Sequence, residues 1–314
     1  MQQWKRVLTH RSGRGRIAPR PDRCWPLVPG GLVAMVALSG LMAAGRPATG
    51  AAGCGSGLRP VGKTVGGLPH DSGEASGIVT SMRHPGWAWM IRDSSHPASL
   101  YALRVNPDGT ATSREIPVAG ATNRDWEDIT LAERADGTSV IWVVESGQGG
   151  SGGRQIYEIT EPDPETATTV TATRYNYAFP DRSTNTEAGF TWDNQLVLAS
   201  KNFPTRLYRF TRPLSTFGTN EASFVGELTD SNGISVAKPS PDGKWLVTAT
   251  HERVYVYRRA AGEATLEGFT NREPLHMIVA APDDNVEAGD FFPPGACDLL
   301  LVSETRNTYR LESH

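Results

Sequence analysis

The sequence predicts an all-β protein and, within that class, a β-propeller built from four-stranded antiparallel blades. Three observations support this prediction. A polar phrase recurs five times along the chain, turn signals separate short runs rich in β-branched and aromatic residues, and no long stretch has a helical period. We expect five blades, with six as the alternative.

The recurring phrase places an acidic residue, or a short polar one, just before a strand-like run. A second such run follows each copy and ends in another polar residue, as in VIWVVESG and DLLLVSET. A repeated unit of this size is typical of a radial array, in which each unit forms one blade around a central channel. The five copies begin at Glu74, Glu127, Glu187, Ser231 and Glu287.

Another fold and another blade number are the alternatives, and the closure of the ring depends on one further stretch of the chain. A β-sandwich would also give many short strands, but it would not repeat one acidic phrase with every unit. The segment from Val170 to Phe179 could belong to a degenerate sixth unit. The last copy ends after three strands, and we expect the run from Leu58 to Val65 to supply the fourth strand and close the ring.

The chain divides into three parts by composition. Residues 1–50 combine a basic start with an uncharged apolar stretch from Trp25 to Ala44, which is the layout of an export signal. A retained membrane anchor is the alternative. Residues 51–72 are interpreted as a flexible Gly-rich lead-in, and residues 73–314 as a single propeller domain. We therefore expect an extracytoplasmic monomer.

The charge and the cysteines limit the partners. A net charge of −3 gives no general attraction to nucleic acid, so nucleic acid is not expected as a partner. Cys24 lies in the leader, and Cys54 and Cys297 fit one disulfide in an oxidising compartment. Alternatively, the small residues before Cys54 partly match a lipoprotein cleavage site, and a lipidated Cys54 could not pair with Cys297. Membrane contact is expected only through the leader or a lipidated Cys54.

The repeat also predicts where the polar residues gather. In a blade the first strand runs along the channel and the second returns, so residues before the first strand and after the second lie on the same face. We therefore expect one mouth of the channel to be ringed by polar side chains. These are Glu74, Asp125, Trp126, Glu127, Asp128, Glu187 and Glu287 before or at first strands, and Asp93, Glu145, Lys201, His251 and Glu304 after second strands.

Such a ring of acids predicts a bound cation. Crowded carboxylates repel one another and raise each other's pKa unless a positive charge lies between them. A hard divalent ion, Ca²⁺ first, is the natural partner of an all-oxygen set. The metal ligands expected on this basis are Glu74, Glu127, Asp128, Glu187 and Glu287.

Other residues of the predicted mouth are expected to contact a ligand, and His251 is the candidate catalytic base. For any one acid the alternative is a structural role, in which its carboxylate accepts hydrogen bonds from the backbone of the neighbouring blade. The expected ligand-binding residues are Asp93, Asp125, Trp126, Glu145, Lys201 and Glu304.

Several of these segments resemble a family of exported bacterial β-propeller proteins that carry an N-x-DWED-I motif and are largely uncharacterised. The resemblance rests on NRDWEDI at 123–129, EASGI, TEAGF, ISVAKPSPDG and EAGDFF, and it covers about residues 74–312. It implies a propeller fold and export. Family members have an acidic G-D-I-G-D-N loop where this chain has ESGQG at 145–149, and this departure removes two aspartates from any metal site built on that loop.

A wider resemblance is to gluconolactonase-type and phytase-type propellers. These hold a divalent ion at the channel mouth, and the gluconolactonase type places a ligand Glu just before a first strand, as Glu74 is placed here. No longer motif of either group is present, so the resemblance is at the level of the fold.

Two functional hypotheses follow. The first is an exported binding or interaction module, whose acidic and Ca²⁺-binding mouth recognises a small molecule, a glycan or a protein. The second is a metal-dependent hydrolase of a small ester, lactone or phosphate ester, in which the metal would activate a bound water. The departure at 145–149 favours the first, and the concentration of titratable groups favours the second. We adopt the binding module as the working interpretation.

Overall fold

The structure is a computed structural model. It describes residues 54, 57–64, 66–69, 72–106, 110–146, 153–181, 185–229, 233–282, 284–292 and 296–313. The predicted leader at 1–50 and the fourth copy's start at Ser231 lie outside these residues. The chain divides between Thr49 and Gly50, and the second unit contains everything described below. In that described part, no helix has the length and apolar character needed to cross a membrane.

The regular structure of the described residues is almost entirely β-strand, and the strands form five four-stranded antiparallel groups, numbered sheets 1 to 5 in chain order. Sheets 1 and 2 are joined by a short parallel pairing in which Val118 lies opposite Val170. Strand β1 (Arg59–Thr64) belongs to sheet 5. Sheet 1 contains β2 (Ala75–Thr80), β3 (Trp87–Arg92), β4 (Ser99–Val105) and β5 (Ala111–Ala119). Sheet 2 contains β6 (Trp126–Glu133), β7 (Ser139–Glu145), β8 (Arg154–Thr160) and β9 (Val170–Ala178).

The remaining sheets repeat this pattern. Sheet 3 contains β10 (Thr186–Trp192), β11 (Gln195–Ser200), β12 (Thr205–Arg209) and β14 (Ser223–Leu228). Sheet 4 contains β15 (Val236–Pro239), β16 (Trp245–Ala249), β17 (Arg253–Arg258) and β18 (His276–Val279). Sheet 5 contains β19 (Val286–Phe291), β20 (Leu299–Ser303), β21 (Thr308–Glu312) and β1. The short β13 (Thr219–Glu221) pairs with β9, and Leu266–Phe269 form a 3-10 turn.

The five sheets form a closed ring. Their first strands contact one another in the cycle β2, β6, β10, β15, β19 and back to β2. Five apolar clusters fill the structure, and each draws its side chains from two neighbouring sheets. Every residue of β7 is buried, as expected for a strand covered on both faces. The fold is therefore a β-propeller, and the all-β prediction is confirmed.

The two uncertain stretches of the sequence both form outer strands. The segment from Val170 is β9, the fourth strand of sheet 2, so it does not start a unit of its own. Strand β1 pairs antiparallel with β21, with Thr64 opposite Thr308, which confirms that the start of the domain completes the last sheet. Within the stretch 51–72, interpreted from composition as a flexible lead-in, Arg59–Thr64 are therefore part of the folded sheet.

A disulfide fastens the chain near this closing strand. Cys54 and Cys297 are bonded, with their Cα atoms 4.7 Å apart, and Cys54 is buried. Because the sulfur of Cys54 is used in this bond, it is not free to carry a lipid in this structure.

A buried carboxylate adds a second fastening. Asp284 accepts hydrogen bonds from Asn307 Nδ2 (2.7 Å), Tyr309 Oη (2.5 Å) and Thr305 Oγ1 (2.9 Å), and Lys63 Nζ of β1 lies 3.5 Å away. Burial opposes ionisation of Asp284, but these hydrogen bonds outweigh it and hold its pKa below the usual range. We call this group the Asp284 cluster.

Candidate functional site

The first strands share one irregularity that shapes the mouth. In four of them the pairing with the second strand shifts register by one residue near the start, which is the mark of a β-bulge. The bulged positions are Glu127 in β6, Glu187 in β10 and Glu287 in β19. In β2 the equivalent residue is Ser76, so Glu74 does not occupy the repeated position.

Serines tie neighbouring first strands together at this level. Ser76 Oγ donates to the backbone oxygens of Trp126 (2.7 Å) and Glu127 (2.8 Å). Ser235, just before β15, likewise donates to the backbone oxygen of Val286 at 2.7 Å. At the height of the bulges, each sheet therefore carries either a glutamate that faces the mouth or a serine that links it to the neighbouring sheet.

Glu74 lies apart from the other predicted metal ligands. Its backbone has a positive φ of 59°, and its side chain is 60% exposed. Its Oε2 lies 2.5 Å from His96 Nε2. The structure therefore does not bring Glu74 to the shared set of carboxylates.

Asp128 lies inside the channel, where its charge is already matched. Lys238 Nζ lies 3.0 Å from both of its carboxylate oxygens, and both side chains are buried. The backbone N–H groups of Gly189 and Ile129 also donate to it, each at 2.7 Å. Burial raises the pKa of Asp128 to about 6, although Lys238 and the two N–H groups lower it. In this arrangement Asp128, predicted as a metal ligand, has its oxygens occupied by Lys238 and two backbone N–H groups.

Trp126 and Glu145 are likewise buried and do not face the mouth of the channel. Both are fully buried, and they pair with each other across β6 and β7. Trp126 packs against Tyr157 with ring centroids 5.9 Å apart, and its Nε1 donates to the Thr122 oxygen. Glu145 accepts a hydrogen bond from the Arg124 N–H at 2.9 Å. Both residues were predicted to contact a ligand at the mouth, and in this structure both are buried within sheet 2.

The remaining acids form one electrostatic group, which we call the acidic mouth. The charges that act on Asp93 show which acids belong to this group. Burial raises the pKa of Asp93, and the carboxylates of Asp125, Glu187 and Glu304 raise it further. The acidic mouth consists of Asp93, Asp125, Glu127, Glu187, Glu287 and Glu304.

Among these acids, Glu127 has surroundings that strongly oppose its ionisation. It is 7% exposed, and the carboxyls of Glu187 and Asp125 lie close enough to oppose its ionisation. Ser146 Oγ lies within hydrogen-bond distance of both Glu127 Oε1 (3.0 Å) and Asp125 Oδ2 (2.6 Å). Burial, followed by repulsion from Glu187 and Asp125, raises the pKa of Glu127 well above its ordinary value. No basic residue in the described ranges forms an ion pair with Glu127.

Two basic side chains reach the other bulged glutamates. Lys201 Nζ lies 3.3 Å from Glu187 Oε2, and His251 Nε2 lies 2.9 Å from Glu287 Oε1. Burial raises the pKa of Glu287 to about 7, and nearby carboxylates including Glu187 add to this, while Lys201 opposes it. Burial lowers the pKa of Lys201, but Glu187 and Glu287 outweigh it, so Lys201 stays charged.

A cavity of about 690 Å³ lies beside the acidic mouth. Lys201 and His251 line it, so it borders Glu187 and Glu287 through their ion pairs. Arg253 and Tyr255 from β17 also line it. Sequence reasoning missed these two residues, because nothing in the alternation of RVYVYRR marks a pocket wall.

The donors of the acidic mouth suit a hard cation chemically, since all are carboxylate oxygens and Glu127 is buried without a basic partner. As the side chains stand, however, no three Asp, Glu, His or Cys residues in the described ranges converge to hold a metal ion. Binding would therefore require Glu127 and Glu187 to turn away from each other toward a shared ion.

The fold and the mouth together define a β-propeller with an anionic channel entrance. No protein-family model and no curated protein matches the chain. Among solved structures, one provisionally described as a gluconolactonase matches with 17% sequence identity and a TM-score of 0.46. The match covers 78% of this chain and 76% of that chain. The assignment of the fold rests on the strand pairing and not on this likeness.

Proposed function

We propose that the protein is an exported binding module whose acidic mouth takes a cation, with Ca²⁺ as the ion that the donors suit best. The observation that supports this most is Glu127. Its carboxyl is buried, faces two other carboxyls and has no ion-pair partner among the described residues. A buried carboxylate in such surroundings is stabilised when a cation lies beside it.

The residues that would hold the ion are Glu127 and Glu187, with Asp125 and Asp93 close by. Ca²⁺ takes six to eight oxygen ligands in flexible geometry, so it tolerates donors from several sheets. When bound, it would supply positive charge to which an oxygen of a ligand can coordinate. Glu74 and Asp128 are left out, because His96 and Lys238 already contact them.

The proposal is tested by thermal melting, first with EDTA and then with added Ca²⁺. A ligand that binds only the native state stabilises it by about 2.7 kcal/mol at a hundred times its Kd. We expect the Tm to rise with Ca²⁺ at concentrations on the order of 1 mM or below. Glu127→Gln should abolish the rise, while the matched control Glu74→Gln should retain it. An unchanged Tm in the wild type would eliminate the cation site.

A metal-dependent hydrolase of a small ester, lactone or phosphate ester is the second candidate. It is favoured by the contact between His251 Nε2 and Glu287 Oε1 at 2.9 Å. An imidazole paired with a carboxyl whose pKa is near 7 suits proton transfer at neutral pH. The test is turnover of a panel of such substrates with and without Ca²⁺. Loss of turnover in His251→Gln with Ca²⁺ binding retained would support it, and no turnover in the wild type would remove it.

Export is proposed on the basic start and apolar stretch of residues 1–50, together with the disulfide between Cys54 and Cys297. Mass spectrometry of the mature protein tests this directly. We expect cleavage before Cys54 and a mass that lacks two hydrogens for the disulfide. A lipid mass on Cys54 would instead place the protein on a membrane surface.

A further inference from the structure

The cavity beside the acidic mouth combines three basic side chains on one wall. Lys201, His251 and Arg253 all line the space of about 690 Å³, and Tyr255 lies beside them. Lys201 follows β11 of sheet 3, whereas the other residues belong to sheet 4. The wall is therefore assembled from two sheets by the closure of the ring.

Two of these basic groups are already paired with acids of the mouth. Lys201 contacts Glu187, and His251 contacts Glu287. The guanidinium of Arg253 has only one contact among the described residues, a weak one to Met277 Sδ at 4.0 Å. The cavity thus contains the guanidinium of Arg253, the ammonium of Lys201 paired with Glu187, and the imidazole of His251 in contact with Glu287.

Two acids, Glu252 and Asp284, also line the cavity. Asp284 faces the cavity, but its carboxylate is satisfied by Asn307, Tyr309 and Thr305 and lies near Lys63. Glu252 is exposed to solvent. An incoming anion would therefore meet the charges of Glu252 and Asp284, the latter offset by Lys63 at 3.5 Å, as well as those of Glu187 and Glu287 in the acidic mouth.

We propose that this cavity is an oxyanion subsite that becomes competent when a cation occupies the acidic mouth. The cation would engage Glu187 and neutralise the mouth, which frees Lys201 and His251 to face the cavity. A carboxylate or phosphate group would then bind between these side chains and Arg253, whose planar guanidinium matches such groups in a bidentate manner. The ligand class of the module is accordingly an oxyanion that enters together with the cation.

This inference rests on the proposed cation site and predicts a reciprocal coupling. If the cation raises the affinity for the anion by some factor, the anion must raise the affinity for the cation by the same factor. A cavity and a mouth that act independently would give a factor of one.

The test is isothermal titration calorimetry of the mature protein with succinate and, separately, with inorganic phosphate below its precipitation limit with Ca²⁺. Each titration is run in EDTA and in saturating Ca²⁺. We expect binding to strengthen by about tenfold or more with Ca²⁺, which corresponds to one charged hydrogen bond gained. A preference for one probe identifies whether the subsite suits carboxylates or phosphates.

Arg253→Gln supplies the specific variant, and Arg83→Gln is the matched control, because Arg83 is exposed in the turn between β2 and β3 at the other end of the sheet. Arg253→Gln should weaken anion binding by about tenfold while Ca²⁺ affinity measured alone stays unchanged. Equal anion binding by Arg253→Gln and wild type, or no difference between EDTA and Ca²⁺, would overturn the inference even if Ca²⁺ binds. Absence of Ca²⁺ binding itself would instead overturn the proposed function.

Discussion

Lys238 Nζ lies 3.0 Å from each carboxylate oxygen of Asp128, in a place where both side chains are buried. The same nitrogen donates to the backbone oxygens of Ile129 (3.2 Å) and Gly189 (2.9 Å). One ammonium group thus joins the first strands of sheets 2, 3 and 4. The interior of the channel carries its own cation, whereas Glu127 at the mouth forms no ion pair within the part of the chain that the structure describes.

Replacing this lysine should destabilise the fold strongly. Lys238→Met leaves the carboxylate of Asp128 buried without its counter-charge, which costs about 3–5 kcal/mol in comparable pairs. Urea unfolding measures the change. The double variant Lys238→Met with Asp128→Asn removes both charges and should recover most of the loss. Equal destabilisation in the single and double variants would show that the ion pair is not what holds the three strands.

Gly77 should tolerate no side chain. A Cβ added there would lie 2.8 Å from Asp128 Cα and 2.9 Å from Ile129 N, both of which are backbone atoms of the neighbouring sheet. Gly77→Ala should therefore lower the free energy of unfolding by about 1–3 kcal/mol. Gly62→Ala is the control, because nothing lies within 4 Å of its added Cβ. A Gly77→Ala variant as stable as this control would contradict the close approach of β2 and β6.

The acidic mouth should make stability depend on pH with a definite sign. Asp93, Glu127 and Glu287 have raised pKa values, so the folded state binds more protons than the unfolded state. Without a cation, the free energy of unfolding should fall as the pH rises from the ordinary Glu value of 4.5 through about 7, the pKa of Glu287. Urea melts at a series of pH values measure the slope.

Calcium should reverse this trend, because it competes with protons for the same carboxylates. We expect the Ca²⁺ affinity to increase as the pH rises through the same window. Glu287→Gln should flatten the upper part of the stability curve. A stability that rises with pH in EDTA would contradict the crowding of the acids.

The Asp284 cluster should produce the opposite sign at lower pH. Because its folded pKa is depressed, Asp284 contributes stability above the ordinary Asp value of 3.8, and this is lost as the pH falls through the folded pKa. Asp284→Ala leaves Asn307 and Tyr309 without their acceptor and should cost about 1–3 kcal/mol at neutral pH. Acid unfolding followed by circular dichroism should show a weaker pH dependence in the variant. An unchanged acid transition would show that other carboxylates control it.

The fold was predictable because its signals are local and repeated. Five short polar phrases, each followed by buried β-rich runs, describe the unit, and the missing fourth strand of sheet 5 pointed to the run from Leu58. The outer strand β9 was harder to assign, because only Tyr177 of VTATRYNYA is buried and its other residues are exposed or half-buried.

The site was less predictable, and the bulges explain why. A bulge adds one residue to a strand, so aligning acidic letters placed Glu74 with Glu127, whereas the structural equivalent of Glu127 is Ser76. Lys238 was missed for a different reason, since a lysine within a short strand usually faces solvent. Lys238 is buried because it pairs with Asp128, which belongs to sheet 2 whereas Lys238 belongs to sheet 4.

Sheet 5 draws its strands from opposite ends of the described chain, and this sets an order for biosynthesis. Cys54 is made 243 residues before Cys297, so β1 must wait until the four other sheets have been synthesised before its partner β21 exists. A prematurely terminated product would keep two unpaired sheet edges, which are templates for aggregation. Only chains that extend through β21 can therefore hide both edges and form the cross-link.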